Sequence, residues 1–158
     1  HVCFVRDGEI SPNLPAEPGS YVLVMRLQQA SLLTVGRMGC FPLKSGDYLY
    51  IGSARIRGGI AARAGRHLKP AREKRMRWHI DHLTALASII AIVAEPHDPL
   101  ERRECAWAGC LAQVEGITRP IPRFGSSDCS CQAHLFRWPG KIELEHLVNL
   151  LTKGNASD

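Results

Sequence analysis

Apolar residues recur at every second position in the first third of the chain, which predicts β-strands. Residues 21–27 place a tyrosine and three aliphatic side chains on one face of such a strand. In residues 46–54, Tyr48 and Tyr50 project together from one face, and the apolar residues that follow each of them take the other. We expect Tyr48 to pack near a sheet edge and Tyr50, next to a glycine, to belong to a functional site.

Two further segments predict strands, and longer periodic segments predict helices. Residues 32–35 follow a polar turn and are expected to return as a hairpin partner of residues 21–27. The apolar run 88–94 indicates a buried strand. Apolar residues three and four positions apart predict helices at residues 60–68, 73–87, 98–114 and 141–152.

The predicted helix 98–114 contains two glutamates with different expected roles. Asp98 is expected as its N-cap, with Pro99 at the first helical position and Glu101 completing a capping box. Glu104 instead falls in an apolar stripe with Leu100, Trp107, Ala108 and Leu111. A buried carboxylate must be paired or bind an ion. Glu104 is therefore a candidate metal ligand, with a buried ion pair to an arginine as the alternative.

These elements predict one α/β (α+β) domain, in which a small, mainly antiparallel central sheet is flanked by helices. Residues 1–18 contain three prolines and little periodicity, so we expect a loose leader. The domain proper is predicted at residues 19–138. Residues 139–158 are expected to form a C-terminal helix packed on the same domain.

Composition narrows the cellular setting. No apolar run approaches the roughly 20 residues of a membrane helix, and no signal-peptide pattern is seen, so a cytoplasmic protein is expected. The six cysteines are therefore expected to be reduced. The net charge of +5 is moderate, so the distribution of the charges matters more than their sum.

Basic side chains concentrate in residues 63–77, which contain a single acidic residue, Glu73. Such clustering favours a polyanionic partner, because Lys and Arg that contact phosphates dominate nucleic-acid affinity. A solvated helical face is the alternative. With the preceding loop, the residues expected to bind nucleic acid are Arg57, Arg66, Lys69, Arg72, Lys74, Arg75 and Arg77.

Arg63 and His67 lie four residues apart and so share one helical face. A guanidinium can bind two phosphate oxygens at once, which makes Arg63 a candidate phosphate ligand. His67 beside it could donate a hydrogen bond or carry a proton. Phosphodiester hydrolysis requires such groups, together with a proton acceptor for water and usually a divalent ion.

Several motifs together resemble the GIY-YIG nuclease superfamily. They are Gly19-Ser20-Tyr21, Tyr50-Ile51-Gly52, a helix with Arg63 and His67, and a glutamate on a later helix. The segments Trp78-His79-Ile80-Asp81, Glu104-Cys105 and 124–136 are similar to one uncharacterised branch, catalogued as a domain of unknown function. Some members of that branch are fused to endonuclease III-type repair proteins. Ser20 departs from the superfamily pattern, which usually has an aliphatic residue there.

The resemblance implies a metal-dependent endonuclease that cuts DNA, with a link to DNA repair. It implies catalytic roles for Tyr21, Tyr50, Arg63, His67 and Glu104. One of the tyrosines, assisted by His67, would be the general base, and Glu104 would hold Mg²⁺ or Mn²⁺. A tyrosine base would need its pKa lowered by nearby positive charge.

Other polar residues are expected to support this site. His79 and His82 share a helical face near Asp81, a pattern found both in supporting shells and among satisfied core groups. Asp128 could form a turn that folds its loop over the site. Cys129, Cys131 and His134 could bind zinc if Cys105, Cys110 or Asp128 completed the set. Because no CxxC pair is present, we expect a buried cluster of free thiols rather than a zinc site.

Three functions therefore stay open. The first is a DNA endonuclease, the second a nucleic-acid-binding module that keeps the basic face but does not cut, and the third a small zinc-binding adaptor built around Cys129 and His134.

Overall fold

A computed structural model describes residues 1–156 of the chain. It contains eight strands and four α-helices. The strands are β1 (Val2–Arg6), β2 (Glu9–Ser11), β3 (Gly19–Leu27), β4 (Ser31–Val35), β5 (Gly39–Leu43), β6 (Gly46–Ala54), β7 (Ser88–Pro96) and β8 (Leu135–Arg137). The helices are α1 (Gly59–His67), α2 (His79–Thr84), α3 (Arg103–Leu111) and α4 (Leu144–Asn155).

Six of the strands form one antiparallel sheet in the order β2-β1-β7-β3-β6-β8. This confirms the predicted mixed α+β class with a mainly antiparallel central sheet. The predicted strands at 21–27, 46–54 and 88–94 are confirmed as β3, β6 and β7. The last two residues of the predicted C-terminal segment, 157 and 158, lie outside the described residues.

The alternating pattern of β6 separates two hydrophobic cores. Tyr48 and Tyr50 lie in the core that α1 and α2 cover, whereas Leu49 and Ile51 lie in the core that α3 and α4 cover. Tyr48 is buried and donates a hydrogen bond to the carbonyl of Lys44 at 2.6 Å. The two faces of β6 therefore pack against different pairs of helices.

The expectation of a loose leader in residues 1–18 is wrong, because this segment contains β1 and β2. Strand β1 pairs with β7 on one side and with β2, the edge strand of the sheet, on the other. Its residue Cys3 is fully buried, and Val5 and Ile10 pack against the core. The apolar run of residues 2–5 that forms β1 was therefore present in the sequence, and the three prolines of the segment all follow β2.

The expected hairpin between 21–27 and 32–35 is also wrong. Strand β4 pairs with β5 in a separate two-stranded sheet, and β3 pairs with β6 and β7. A 3₁₀ turn at Gly36–Met38, followed by Gly39 with a positive φ of 113°, turns the chain back immediately after β4.

Two predicted helices are shorter than expected, each for a local reason. The helix predicted at 73–87 is only α2, because the Asp81 carboxylate accepts hydrogen bonds from the backbone N–H groups of Arg77 and Trp78 and starts the helix there. The helix predicted at 98–114 is α3, which begins at Arg103.

The predicted Asp98 capping box is wrong. The Asp98 carboxylate accepts a hydrogen bond from Leu100 N–H in a local turn, ahead of the helix. Glu101 pairs with Arg103 at 2.6 Å instead of capping the helix. Within residues 1–156, no helix has both the length and the apolar character required to cross a membrane.

Candidate active site

A cavity of about 290 Å³ opens where the end of β6 meets α1, α3 and the loop of residues 124–134. Tyr50 projects into it from β6, Arg63 from α1 and Glu104 from α3. The loop adds Asp128 and His134. Three of the five residues expected to be catalytic therefore share one cavity, although they come from three elements and from helices on opposite faces of the sheet.

The other two expected residues, Tyr21 and His67, form a buried pair behind this cavity. The Tyr21 hydroxyl lies 2.8 Å from His67 Nε2. The rings of both Tyr21 and Tyr50 contact the His67 imidazole, with centroids 5.7 and 6.3 Å away. Tyr21 is 1% exposed and Tyr50 is 9% exposed. Of the two phenols, Tyr50 is thus the one that water in the cavity can reach.

Burial keeps the Tyr21–His67 pair neutral. It raises the pKa of Tyr21 above its ordinary value, an effect that the nearby Arg63 guanidinium opposes. Burial, together with the Lys74 ammonium, lowers the pKa of His67 to about 3. A neutral imidazole has one acceptor nitrogen and one N–H group. Tyr21 and His67 therefore share one hydrogen bond while both stay uncharged, and the buried His67 Nδ1 has no hydrogen-bond partner within residues 1–156 that could take a proton onward.

Gly52 leaves the space that the Tyr21 ring occupies. The two residues are direct partners in the β3–β6 register. A Cβ atom at Gly52 would lie 2.4 Å from Tyr21 Cζ and 2.5 Å from its hydroxyl oxygen. Glycine is therefore required at this position by a close approach and not by a turn.

Tyr50 is a weak acid in the resting site. Burial raises its pKa to about 12, and the negative charges of Asp128 and Asp81 act in the same direction. Arg63 lowers this pKa, but by less than burial raises it. The expected pKa depression of a tyrosine base is thus absent from the resting structure, and further positive charge would have to come from a bound ion.

Arg63 is held in place by an aromatic ring. Its guanidinium carbon lies 4.5 Å from the centroid of the Trp78 ring, and that of Arg66 lies 4.3 Å from the same ring. Such cation–π contacts fix the plane of a guanidinium while leaving its N–H groups able to donate. Arg63 can therefore present N–H groups to a phosphate in the cavity.

Glu104 is 5% exposed, and its two oxygens differ. Oε1 accepts a hydrogen bond from Arg55 at 2.5 Å, so the buried ion pair considered from the sequence is present. Oε2 is buried and has no hydrogen-bond partner. The predicted apolar stripe is confirmed for Glu104, Trp107, Ala108 and Leu111, whereas Leu100 precedes the helix and is exposed.

The unpartnered Glu104 oxygen is a suitable ligand for the Mg²⁺ or Mn²⁺ that the family resemblance implies. A buried carboxylate oxygen without a partner is costly unless it binds a cation or a hydrogen-bond donor. Mg²⁺ is usually held by one or two carboxylates together with waters and substrate phosphate oxygens. Glu104 and Asp128, which both line the cavity, are the carboxylates that would hold the ion.

Asp81 is a buried structural residue. Burial alone would raise its pKa, but hydrogen bonds from Arg66 and from the N–H groups of Trp78 and Arg77 lower it to about 2. Arg66 contacts its two oxygens at 2.7 and 3.1 Å. The Lys74 ammonium lies 3.9 Å away. Asp81 thus fixes the backbone at Trp78, whose ring contacts Arg63, and so affects the cavity only indirectly.

The expected nucleic-acid-binding residues divide into two groups. The Lys74 side chain is only 3% exposed, which leaves its ammonium inaccessible to phosphate, and Arg66 keeps 22% exposure while bound to Asp81. Both side chains stabilise the fold, because Asp81 is their buried counter-ion. The remaining residues are exposed, and they are Arg57, Lys69, Arg72, Arg75 and Arg77.

The loop of residues 124–134 forms one wall of the cavity. Gly125, with φ 71°, is so close to Tyr50 that a Cβ atom there would lie 2.7 Å from the Tyr50 ring. Gly125 N–H donates to His79 Nδ1 at 3.2 Å, which gives His79 a supporting role in holding this loop. Asp128 follows in the same loop and lines the cavity.

Next to this wall, three cysteines and a histidine come together. The ligand atoms of Cys105, Cys129, Cys131 and His134 all lie within 4.8 Å of one another. All six cysteines of the chain are unpaired. Cys105 is one of the three residues considered from the sequence as a fourth ligand. The cluster could hold a metal ion, and its donor atoms fit zinc better than Mg²⁺ or Mn²⁺.

Sequence reasoning missed three contributors to the cavity. The Trp78 ring stacks against the guanidinium of Arg63. Arg55 forms an ion pair with Glu104, and Gly125 lies against the Tyr50 ring. Trp78 and Gly125 lie within segments that carry the family resemblance, but no role was predicted for either residue. Nothing in the sequence near Arg55 indicates its partner, because the two residues are 49 positions apart.

The comparisons with known proteins give one result. The model of a family described as domain of unknown function DUF123 matches residues 20–156. Neither the curated proteins nor the solved structures give a match. The matched range contains the cavity and the cluster of three cysteines and one histidine, so both belong to the part of the chain that the family model describes.

Proposed function

The chain belongs to the family of domain of unknown function DUF123, and we propose that it is an endonuclease that hydrolyses phosphodiester bonds in DNA. The observation that carries this proposal is the shared cavity of Tyr50, Arg63 and Glu104, with the Tyr21–His67 pair directly behind it. The resemblance of the two tyrosine motifs to the GIY-YIG nucleases supports the same chemistry.

Arg63 binds the phosphate in this mechanism. Its guanidinium donates two hydrogen bonds to phosphoryl oxygens and stabilises the charge that develops on them. Stacking on Trp78 limits the loss of side-chain freedom when the substrate binds. The exposed Arg77 lines the same cavity and would contact the phosphate of a neighbouring nucleotide.

Tyr50 orients the attacking water through its phenol oxygen, and it accepts the proton of that water only in its phenolate form. It is the phenol that lines the cavity, and Tyr21 and His67 form a hydrogen-bonded pair whose imidazole contacts the Tyr50 ring. This neutral pair packs against the Tyr50 ring, and the low pKa of His67 keeps its imidazole uncharged beside the phenol. Glu104, through its unpartnered oxygen, would hold Mg²⁺ or Mn²⁺, which supplies positive charge to the phosphate and to the phenol.

The proposal is tested by cleavage of labelled branched, flapped and damaged DNA in the presence of Mg²⁺ or Mn²⁺. We expect Glu104→Gln to lower the cleavage rate by about 10²–10³-fold, the typical loss when one charge-stabilising group is removed, with Kd for DNA little changed. The matched control is Glu101→Gln. The Glu101 carboxylate lies in the segment before the same helix and pairs with Arg103, so its loss should not affect cleavage.

The second variant, Arg63→Ala, should reduce cleavage and weaken DNA binding, because it removes a phosphate contact. Cleavage by Glu104→Gln at the parent's rate would overturn the proposed role of Glu104. If the parent cuts no DNA in the panel but binds it, the endonuclease proposal is wrong and the non-catalytic binding module is the function.

A further inference from the structure

The cluster of three cysteines and one histidine joins two separate segments of the chain. Cys105 lies in the first turn of α3, and the other three residues lie in the loop of residues 124–134. Cys129 Sγ and His134 Nε2 are 3.5 Å apart. All four ligand atoms lie within 4.8 Å of one another.

These separations are close to those of a tetrahedral zinc site. With Zn–S bonds of about 2.3 Å and Zn–N bonds of about 2.0–2.1 Å, a tetrahedron places two sulfurs about 3.8 Å apart and a sulfur and a nitrogen about 3.5 Å apart. The Cys129–His134 distance equals the second value. With all ligand atoms within 4.8 Å, the sulfur–sulfur pairs need to contract by at most about 1 Å and the other sulfur–nitrogen pairs by at most about 1.3 Å, which changes of side-chain rotamer can supply.

The backbone around the ligands is already ordered by hydrogen bonds. Arg123 donates to the carbonyls of Cys131 and Cys129 at 2.5 and 2.9 Å. His134 is fixed on both sides, because its N–H donates to the Phe124 carbonyl and its own carbonyl accepts from Ile51 N–H in β6. Three thiolates and one Zn²⁺ leave a net charge of −1, which the Arg123 guanidinium is placed to offset.

We propose that Cys105, Cys129, Cys131 and His134 bind one Zn²⁺ in a closed, structural site that joins α3 to the loop of residues 124–134. Four protein ligands leave no open coordination position, which distinguishes structural from catalytic zinc sites. The spacing Cys-x-Cys-x-x-His is atypical. The fourth ligand lies 24 residues before Cys129, so the complete ligand set emerges only in the folded chain.

The zinc site would also set the width of the cavity. Glu104 precedes Cys105, Asp128 precedes Cys129, and His134 itself lines the cavity. A metal bound to these cysteines therefore fixes the two cavity carboxylates relative to each other. This second role rests on the proposed endonuclease function, whereas zinc binding itself does not.

The first test is elemental analysis of the full chain purified without chelators, together with the visible spectrum after Co²⁺ replaces the metal. We expect one zinc per chain and a Co²⁺ spectrum with thiolate charge-transfer bands and tetrahedral d–d bands. Cys105→Ser should lose most of the bound zinc and change the spectrum. Cys110→Ser is the matched control, because Cys110 lies on the same helix and outside the cluster.

A second measurement keeps the test decisive if Cys105→Ser fails to fold. In the zinc-loaded parent, an alkylating reagent should modify the exposed Cys40 and spare the three cluster cysteines until a chelator is added. The zinc proposal is overturned if the parent binds neither metal, or if folded Cys105→Ser keeps the parent's zinc content and Co²⁺ spectrum.

The outcomes also separate this proposal from the proposed function. Zinc binding by a chain that cuts no DNA supports the zinc site and overturns the endonuclease. DNA cleavage by a chain that binds no zinc does the reverse. If zinc removal leaves Glu104-dependent cleavage unchanged, the role of the metal in setting the cavity is wrong.

Discussion

A single added methyl group at Gly52 should disturb the arrangement of the candidate site in a domain that still folds. Gly52→Ala places a Cβ atom 2.4 Å from Tyr21 Cζ and 2.5 Å from the Tyr21 hydroxyl oxygen. Ordinary contacts between such atoms are 3.4–4 Å. The Tyr21 ring must therefore move by about 1 Å, and the Tyr21–His67 hydrogen bond, now 2.8 Å, cannot survive that movement in its present geometry.

The expected loss of stability follows from two contributions. Overpacking a tight interior costs about 1–3 kcal/mol. Loss of a buried hydrogen bond costs about 1 kcal/mol more. The free energy of unfolding should therefore fall by about 2–4 kcal/mol. Cleavage should fall by about 10²-fold, because a displacement of about 1 Å near reacting groups has effects of that size.

The assay pairs urea unfolding with DNA cleavage at a temperature where each variant is folded. Gly65→Ala is the matched control, since Gly65 lies in α1 and an added Cβ meets no atom within 4 Å. That change should raise the free energy of unfolding by about 0.5–1 kcal/mol and leave cleavage unchanged. In the Tyr21→Phe background, Gly52→Ala should cost less, because the clash with the hydroxyl oxygen and the hydrogen bond to His67 are gone, whereas the clash with the ring carbon remains. Equal stability and cleavage for Gly52→Ala and the parent would refute the described packing of Tyr21.

Three further predictions concern buried charges. The pKa of His67 in the folded chain is about 3, below its ordinary 6.5. Between pH 6.5 and pH 3 only the unfolded chain therefore binds a proton at this imidazole. The free energy of unfolding should fall as the pH drops through this range. His67→Gln should flatten that decline in urea titrations across this range, and an unchanged slope would contradict the neutral imidazole. Asp81→Asn, which leaves the buried Lys74 without its counter-ion, should lower the free energy of unfolding by about 3–5 kcal/mol, whereas Asp98→Asn on the surface should change it little. Arg55→Gln removes the cation that occupies Glu104 Oε1, so half-maximal cleavage should need less Mg²⁺; a higher requirement would show that Arg55 helps to build the metal site.

The period of the apolar residues predicted the parts of the fold that depend on burial alone. Alternation assigned Tyr48 and Tyr50 to one core and their neighbours to the other. Helical spacing predicted that Glu104 faces the core together with Trp107, and both are buried. These predictions succeeded because a face is either buried or exposed, whatever lies against it.

Interactions between distant residues explain what the pattern could not predict. The start of α2 depends on backbone hydrogen bonds that the Asp81 carboxylate accepts, and the counter-ion of that carboxylate is Arg66 from another helix. The partner of β4 was decided by the turn that follows it. Likewise, Cys105 could be considered as a fourth ligand, but only the packing of α3 against the loop selects it over Cys110.

The candidate site itself was predicted from motifs rather than from periodicity. Those motifs named Tyr50, Arg63 and Glu104, which share the cavity. They could not indicate that Tyr21 lies behind Tyr50, that Trp78 carries Arg63, or that two of the expected phosphate contacts instead hold Asp81. Each of these features depends on which side chains meet across the fold.

The most direct test of the account is DNA cleavage in water enriched in oxygen-18, followed by mass spectrometry of the product ends. If water activated in the Tyr50–Arg63–Glu104 cavity hydrolyses the phosphodiester, the terminal phosphate carries one labelled oxygen. Glu104→Gln should yield almost none of this product. A cut end without the label, or equal labelled product from Glu104→Gln, would contradict water attack at this cavity.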